Sequence, residues 1–313
     1  MQKNTKTPLV SVIIPFYNTG LSLEGLISQI FKNIDDVEVI CVDDKSNDDS
    51  LARIKKLEAK EKRLRVLAQK TNKGSAAARN RGLSEARGKY IVFLDSDDFI
   101  SEKYFEKMIN SISDDAVMGV CGIRQIYLKD GKHIDKFIRE PRDRDQKDNW
   151  REYILKSMIS GAALYSSVNK LYRGDIIRKY KLRFDEGLDF AEDTKFVLSY
   201  LTCFDDDSKI KFVCEPLYFY NYGTTTSVVS NSSLSWKNWQ KSFDDIIAWL
   251  GSECDGSTRV ITRRELRLAK KLRQRFKVSH ILAVARSKKS REQKLKYVNK
   301  FELFLGEMIL KIR

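Results

Sequence analysis

The stretch LVSVIIPF, residues 9–16, is a continuous apolar run rich in β-branched residues. A run without polar alternation is expected for a strand that is covered on both faces of a sheet. Helices should therefore flank this strand. The following segment, LSLEGLISQIFKN at residues 21–33, spaces its apolar residues at helical intervals and predicts the first of those helices.

Strands and helices are predicted to alternate along the first 100 residues. Further strands are expected in VEVICVDD (37–44), LRVLAQ (64–69) and KYIVFLDSDD (89–98), and further helices at 47–63 and 75–88, the latter closed by Gly88. This β-α-β-α-β-α-β order is typical of a doubly wound sheet. The predicted fold class is therefore α/β, a Rossmann-like, mostly parallel sheet flanked by helices.

Carboxylates follow two of these strands at the points where the strands end. Asp43 and Asp44 close one strand, and Asp95, Asp97 and Asp98 close another. One such cluster could simply form a turn or cap the next helix. In doubly wound sheets, however, ligands bind beyond the carboxyl ends of the strands. Two clusters at one edge favour a shared Mg²⁺ or Mn²⁺, held by carboxylates together with substrate phosphates.

The positive charge of the chain is concentrated at its C-terminal end. The net charge is +15, and residues 256–313 hold 18 Lys and Arg against 4 Glu. The rest of the chain is therefore close to neutral. This asymmetry indicates that the body and the tail meet different partners.

Cysteine usage and hydropathy exclude several classes of protein. The five cysteines are scattered and never spaced CxxC, which predicts neither a zinc site nor a disulfide framework and favours a reducing cytosol. The N-terminal residues are polar, and no apolar run approaches the roughly 20 residues of a membrane span. We therefore expect a cytoplasmic protein without a transmembrane helix.

Six blocks in order carry a resemblance to a known family. They are VSVIIPFYN (10–18), VICVDDKSNDDS (39–50), NKGSAAARNRG (72–82), YIVFLDSDD (90–98), NKLYR (169–173) and FDEGLDFAEDTKF (184–196). Together they cover about the first 200 residues. The chain resembles the inverting, nucleotide-sugar-dependent glycosyltransferases of family 2, which have the GT-A fold.

The resemblance implies a nucleotide site. The residues it places there are Pro15, Tyr17, Asp43 and Asp44 around the base, with Asn72, Gly74 and Arg79 near the rest of the nucleotide. An aromatic ring can stack on a base, and a carboxylate selects an N–H donor. Glycine permits close backbone approach, and a guanidinium can bind phosphate oxygens. Tyr17 could also be an ordinary loop aromatic, and the Ala-rich centre of the third block also suits tight helix packing.

The same resemblance implies the metal and catalytic residues. The DSD of residues 95–97 matches the family's DxD element, so Asp97 is the leading metal ligand, assisted by Asp95 and Asp98. Asp193 is the expected general base, with Glu192 as a neighbour that orients it or the acceptor. Acidic residues at this point also suit a helix N-terminus.

One segment departs from the family's pattern. Asn221 and Tyr222 stand where a basic contact to the diphosphate is expected. That contact is therefore expected from elsewhere or is missing.

Two domains are predicted. Residues 1–230 form the GT-A domain, with a nucleotide-sugar half at 1–115 and an acceptor half at 116–230, and residues 231–313 form a basic helical extension.

The basic extension carries a stripe of Leu268, Leu272 and Phe276 beside basic residues, which suits an anionic membrane surface bound through residues 256–313. Trp236, Trp239 and Trp249 could assist. Alternatively, the stripe packs on the body or on another subunit.

The expected activity is metal-dependent transfer of a sugar to a growing glycan or lipid-linked acceptor, in cell-surface polysaccharide synthesis at the inner face of the membrane. Nucleic acid is not an expected partner, because no RNP-like, zinc or helix-turn-helix signature accompanies the charge.

Two rival functions remain open. A nucleotidyltransferase should carry a Gly-rich loop with a Lys, which PFYNTGLSLEGL lacks; a non-catalytic adaptor should have lost the acidic residues, and all are present.

Overall fold

The computed structural model describes residues 7–19, 21–112, 116–129, 132–139, 166–188, 191–204 and 208–221, with residues 241, 244–246, 248, 249 and 270. The strands are β1 Val10–Phe16, β2 Val37–Asp43, β3 Leu64–Ala68, β4 Tyr90–Phe93, β5 Phe99–Ile100, β6 Ala116–Lys129, β7 Lys132–Arg139, β8 Lys170–Arg173 and β9 Lys209–Asn221. The helices are α1 Ser22–Asn33, α2 Ser50–Glu58, α3 Gly74–Leu83, α4 Tyr104–Ser111, α5 Gly174–Lys179 and α6 Glu192–Leu201.

The described strands form one mixed sheet in the order β3-β2-β1-β4-β8-β6-β9-β5, with β7 paired to β6. Strands β1 to β4 are parallel, which confirms the predicted α/β class and start of the sheet. The second half departs from a mostly parallel sheet. Strand β8 runs antiparallel to both β4 and β6, and β5 runs antiparallel to β9. The two halves therefore meet at β4 and β8.

Helices cover both faces of the sheet, as the apolar run at β1 requires. Along this strand Val12 and Ile14 pack into the core beneath α1 and α4, whereas Ile13 packs into the core beneath α3 and α6. Each fully buried aliphatic side chain contributes about 1.5–3 kcal/mol relative to exposure. The two cores hold the strand ends in a fixed arrangement.

Helix α3 ends at Leu83, earlier than the predicted closure at Gly88. The chain turns away because the backbone N–H of Arg87 donates to Oε1 of the buried Glu38 at 2.7 Å. Gly88 then passes so near β1 that a Cβ would lie 2.5 Å from the backbone N of Ser11. Glycine is needed there for close approach to the sheet and does not end the helix.

Two residues beyond the predicted domain boundary at 230 pack on the GT-A core. Ile246 is buried, and the ring of Trp249 lies against the same core, 5.7 Å from Nζ of Lys195. Trp249 is only partly buried there, and its expected part in anchoring the protein at an interface stays a prediction. Trp236, Trp239 and, apart from residue 270, the basic tail at 256–313 lie outside the described residues. None of the helices that the structure describes is long and apolar enough to cross a membrane.

Candidate active site

The carboxyl ends of β1 and β2 lie side by side, with Phe16 in register with Asp43. The loops that follow are tied together by two hydrogen bonds. The backbone N–H of Asn18 donates to Oγ of Ser46 at 3.0 Å, and that of Asn47 donates to Oδ1 of Asn18 at 3.0 Å. The sheet therefore presents the first acidic cluster on a braced double loop.

The residues predicted to surround a nucleotide base lie on this double loop. Pro15 is buried, whereas the side chain of Tyr17 is 41% exposed and leaves its ring accessible to a ligand. Asp43 is buried, and its Oδ1 accepts from the backbone N–H of Ser46 at 3.0 Å. The geometry brings together an accessible ring and a fixed carboxylate.

Asp44 is engaged more fully than the sequence indicates. Its Oδ1 accepts from Nε2 of Gln69 and from the backbone N–H of Lys73, both at 2.8 Å, and its Oδ2 accepts from the backbone N–H of Gly74 at 2.7 Å. The carboxylate therefore satisfies backbone donors at the start of α3, where no earlier turn of helix supplies acceptors. Asp44 holds the loop between β3 and α3, and a base N–H would have to share its oxygens with these donors.

Gly74 is required for its backbone conformation. Its φ of +86° lies in the left-handed region, and no atom lies within 4 Å of a Cβ built at this position. Only glycine adopts this conformation without steric cost. This conformation is a second reason for glycine here, and the expected close approach of a nucleotide stays a prediction. Asn72 is exposed on the same loop.

The second half of the site is built around one buried arginine. Nη2 of Arg79 donates to Oδ1 of Asp95 at 2.8 Å, and Nη1 donates to Oδ1 of Asp193 at 3.1 Å and to Oε1 of Glu192 at 3.3 Å. The guanidinium carbon lies 5.3 Å from the ring centroid of Phe184. These four charged residues, Arg79, Asp95, Glu192 and Asp193, are named the Arg79 cluster.

The predicted contact from Arg79 to a diphosphate does not fit this arrangement. The side chain is 5% exposed, and its terminal nitrogens are engaged with carboxylates of the same chain. Arg79 thus joins the end of β4 to the start of α6. Its role in the described geometry is to organise acidic side chains.

Negative charge exceeds positive charge in the Arg79 cluster. Burial raises the pKa of Asp95. Arg79 acts to lower this pKa, but the charges of Asp193 and Asp97 act in the same direction as burial, so the pKa remains raised. Burial, followed by the charge of Asp193, raises the pKa of Glu192. Burial alone would lower the pKa of Arg79, but the surrounding carboxylates raise it. Three carboxylates thus share one guanidinium in a poorly solvated place.

The DSD loop is fixed from the other side by β9. Asp98 is buried; its Oδ2 accepts from the hydroxyl of Tyr218, and its Oδ1 accepts from the backbone N–H of Asn221 at 2.8 Å. Burial, with Asp95 and Asp97 nearby, raises the pKa of Asp98 well above its ordinary value. Both oxygens of Asp98 have protein donors, so Asp95 and the partly exposed Asp97 are better placed to meet a ligand.

Asn221, where the pattern expects a basic residue, braces this loop. In addition to its backbone contact with Asp98, its Nδ2 donates to the backbone O of Asp97 at 3.1 Å. Tyr222 lies outside the described residues. At this departure from the family's pattern, Asn221 therefore holds the loop of Asp97 and Asp98 in place.

Ser167 is a site residue that the sequence analysis missed. Its side chain is fully buried, and its Oγ donates to Oδ1 of Asp193 at 2.8 Å. It lies in a loop immediately before β8, and a serine in a loop carries no signal that would reveal this contact. The residue before the acidic pair, Ala191, has a φ of 63°, an uncommon left-handed conformation for a residue with a side chain.

Comparisons with known proteins show the family and the fold of the chain. The family model for glycosyl transferase family 2 matches residues 11–179. EpsH of Bacillus subtilis (strain 168) is 31% identical over 69% of this chain and 61% of its own length. The poly(ribitol-phosphate) beta-N-acetylglucosaminyltransferase TarP of Staphylococcus aureus (strain N315) is 31% identical over 61% of this chain and 57% of its own. The matched region thus spans about three fifths of these relatives.

Solved structures share the architecture. TarS of S. aureus, in complex with UDP-GlcNAc, has a TM-score of 0.68 at 19% identity, covering 93% of this chain and 78% of that chain. Mannosyltransferase PcManGT from Pyrobaculum calidifontis, in complex with GDP-Man and Mn²⁺, has a TM-score of 0.59 at 14% identity, covering 99% and 82%. At these identities the likeness establishes the fold. The chain has the GT-A fold and belongs to glycosyl transferase family 2.

Proposed function

We propose that this protein is an inverting, metal-dependent glycosyltransferase. It moves a sugar from a nucleoside-diphosphate sugar to a hydroxyl group of a growing glycan or lipid-linked acceptor, in cell-surface polysaccharide synthesis. The observation that carries the proposal is the Arg79 cluster. Carboxylates from the end of β4 and the start of α6 meet there, at the edge of the sheet where α/β folds bind ligands.

The donor is assigned to the braced double loop. The exposed ring of Tyr17 offers a stacking surface for a base, and Asp43 lies beside it at the end of β2. The UDP-GlcNAc and GDP-Man in the complexes of TarS and PcManGT support a nucleotide sugar as the class of donor. Which base and which sugar the donor carries depends on the shape of the pocket and is to be determined by experiment.

The acidic edge fits a divalent cation of the Mg²⁺ or Mn²⁺ type. In the described part of the chain, no three His, Cys, Asp or Glu side chains converge on one cation position. These ions are commonly held by one or two carboxylates together with substrate phosphates. Asp95 and Asp97 would hold the ion in this mode, and the excess negative charge around Arg79 favours it. When bound, the cation neutralises negative charge on the departing diphosphate.

The proposed reaction is a single in-line displacement. Asp193 takes the proton of the acceptor hydroxyl while the oxygen of that hydroxyl bonds to the anomeric carbon of the sugar. The bond from that carbon to the diphosphate oxygen breaks, and the nucleoside diphosphate leaves with the electron pair. The configuration at the anomeric carbon is inverted. Arg79 holds the carboxylate of Asp193 in place, and Glu192, which contacts the same guanidinium, is proposed to orient the acceptor.

The basic tail at 256–313 is proposed to bind an anionic membrane surface on its cytoplasmic side, close to a lipid-linked acceptor. Truncation after about residue 255 should release the protein from anionic liposomes while donor binding remains. Undiminished liposome binding by the truncated protein contradicts this assignment. The function proposed for the GT-A domain does not depend on the outcome of this liposome test.

The activity is tested by nucleoside-diphosphate release from a panel of nucleotide sugars, with Mn²⁺ or with EDTA. We expect one donor to be turned over, slowly with water as acceptor and faster with a lipid-linked glycan extract, and only with metal. Binding of a nucleotide without turnover of any donor would favour the adaptor. Release of pyrophosphate from a nucleoside triphosphate and a sugar phosphate would favour the nucleotidyltransferase.

A further inference from the structure

Asp193 is held asymmetrically, with two donors on one oxygen. Its Oδ1 accepts from Oγ of Ser167 at 2.8 Å and from Nη1 of Arg79 at 3.1 Å. No donor among the described residues contacts Oδ2. The side chain of Asp193 is 22% exposed, so the carboxylate is neither fully buried nor freely solvated.

We infer that Ser167 is a positioning residue that fixes the carboxylate of Asp193 so that Oδ2 takes the proton from the acceptor hydroxyl. This inference rests on the proposed transfer reaction. An ionised carboxylate has two equivalent oxygens and rotates readily about its last bond. Two donors on Oδ1 remove that equivalence. Oδ2 then retains the lone pairs that can meet a hydroxyl group.

The loop that carries Ser167 is itself anchored. The hydroxyl of Tyr172 donates to the backbone O of Ser167 at 3.1 Å, and the backbone N–H of Cys121 donates to the backbone O of Asn169 at 3.1 Å. Nζ of Lys170 donates to the backbone O of Ser166. Ser167, Asn169 and Lys170 are fully buried. The hydroxyl of Ser167 therefore meets Asp193 from a rigid support.

Arg79 alone cannot supply the same constraint. Its Nη1 is shared between Asp193 and Glu192, and its Nη2 is committed to Asp95. A donor shared between two carboxylates defines neither orientation fully. Ser167 donates to Asp193 alone in the described contacts, which makes it the group that selects the oxygen.

The test is steady-state kinetics of Ser167→Ala against wild type, with the donor and metal that the wild-type protein uses. We expect kcat to fall about 10- to 100-fold, as for a small misplacement of a catalytic group. The KM for the donor should stay within about twofold, because the nucleotide contacts are elsewhere. Ser167→Thr keeps the hydroxyl and should retain a kcat nearer to wild type than Ser167→Ala does.

Ser166→Ala is the matched control, because it removes a neighbouring hydroxyl and leaves the backbone anchor in place. It should retain wild-type kcat. If Ser167→Ala does not fold, judged by its thermal unfolding with nucleotide, Tyr172→Phe carries the test by loosening the same loop. A lowered kcat supports the inference in either variant.

An unchanged kcat in folded Ser167→Ala overturns the inference, as does an equal loss in Ser167→Ala and Ser167→Thr. These outcomes are distinct from failure of the proposed function. In that case the wild-type protein itself turns over no donor.

Discussion

Two carboxylate–arginine clusters lie at opposite ends of the parallel strands, each around one buried charged side chain, Glu38 in one and Arg79 in the other. At the amino end of β2, Oε1 of Glu38 accepts from Oγ of Ser11 at 2.6 Å and from the backbone N–H of Arg87 at 2.7 Å. Its Oε2 accepts from Nε and Nη2 of Arg87 at 3.2 and 3.0 Å. These residues, Ser11, Glu38 and Arg87, are named the Glu38 cluster. Both oxygens of Glu38 are satisfied by these donors, and Nη1 of Arg65 also lies 3.9 Å from Oε2, so one carboxylate faces two guanidinium groups.

The Arg79 cluster at the carboxyl end has the opposite balance. Three carboxylates share one guanidinium. The pKa values of Asp95 and Glu192 are raised by burial and by the nearby charge of Asp193. Removing one partner from a hydrogen-bonded ion pair leaves a buried charge uncompensated and destabilises the fold. A buried excess of like charge persists only where something else compensates it. Glu38 and Arg87 thus form a structural ion pair, whereas the excess of carboxylates around Arg79 fits the proposed cation and its ligand.

The largest expected effect comes from Asp193→Asn. The amide cannot accept a proton, so turnover should fall by about 10²–10⁴-fold, the usual contribution of a general base. Binding of the donor nucleotide should remain. Product formation and nucleotide binding are measured on the same preparation. Asp175→Asn, at the far end of the sheet and paired with Arg173, is the control and should keep full activity. Unchanged turnover in Asp193→Asn removes it from the base role.

Glu38→Gln should destabilise the fold and leave the chemistry intact. The amide nitrogen would face donors of Arg87, and losing hydrogen bonds to a charged group costs about 1.5–3 kcal/mol. The expected result is a lower midpoint of urea unfolding, with kcat of the folded protein unchanged. A loss of kcat without a loss of stability would erase the distinction between the two clusters.

The pH dependence of stability should reveal the excess negative charge of the Arg79 cluster together with the neighbouring Asp98. The pKa values of Asp95, Asp98 and Glu192 are raised, so above the ordinary values of 3.8 and 4.5 the folded state holds protons that the unfolded state has lost. The free energy of unfolding of the metal-free protein should therefore fall as the pH rises through this window, by about 1.4 kcal/mol for each unit of pKa shift.

This slope is measured by urea unfolding in EDTA between pH 4.5 and 7. Asp98→Asn removes one of the raised groups and should flatten it. Stability that rises with pH over this range, in both proteins, would indicate that the cluster is electrostatically satisfied without a ligand.

The smallest effect is expected for Glu192→Gln in the metal-free protein. Removing one carboxylate lowers repulsion within the Arg79 cluster, and its contact to Arg79 is long at 3.3 Å. Stability should rise by about 0.5 kcal/mol, in the direction common for substitutions at functional sites. Thermal unfolding measures the change. A clear loss of stability, as predicted for Glu38→Gln, would place the two clusters in the same class.

Local sequence patterns predicted the strand and helix order of the first half because each element there has an unbroken apolar period. The parallel arrangement of β1 to β4 follows from the helices between them. The antiparallel entry of β8 could not be predicted this way, because a four-residue strand has too little periodicity to reveal its direction. Gly88 was assigned to a helix end because the contact that requires it lies across the sheet, on Ser11.

The acidic residues at 43–44 and 95–98 follow predicted strand ends, whereas Glu192 and Asp193 were expected from the resemblance to the family; the structure brings Asp95, Glu192 and Asp193 together around Arg79. The partners of these side chains were not predictable. Arg79 lies in a block that suggests phosphate contact, yet its neighbours in space are acidic residues 16 to 114 positions away in the chain. Ser167 and Tyr218 have no local signal, since their roles depend on hydrogen bonds to Asp193 and Asp98. Local motifs indicate where the acidic side chains lie, but not which groups hold them in place.

The central claim is that the negative charge behind β4 holds a cation against the diphosphate of a sugar donor. The most direct measurement is calorimetric binding of a panel of nucleoside diphosphates with Mn²⁺ and with EDTA, to wild type, Asp97→Asn and Glu38→Gln. We predict that one nucleotide binds at least about tenfold more tightly with Mn²⁺, a coupling of about 1.4 kcal/mol. Asp97→Asn should lose this coupling and Glu38→Gln should keep it. Equal affinity with Mn²⁺ and with EDTA in the wild-type protein would contradict the claim.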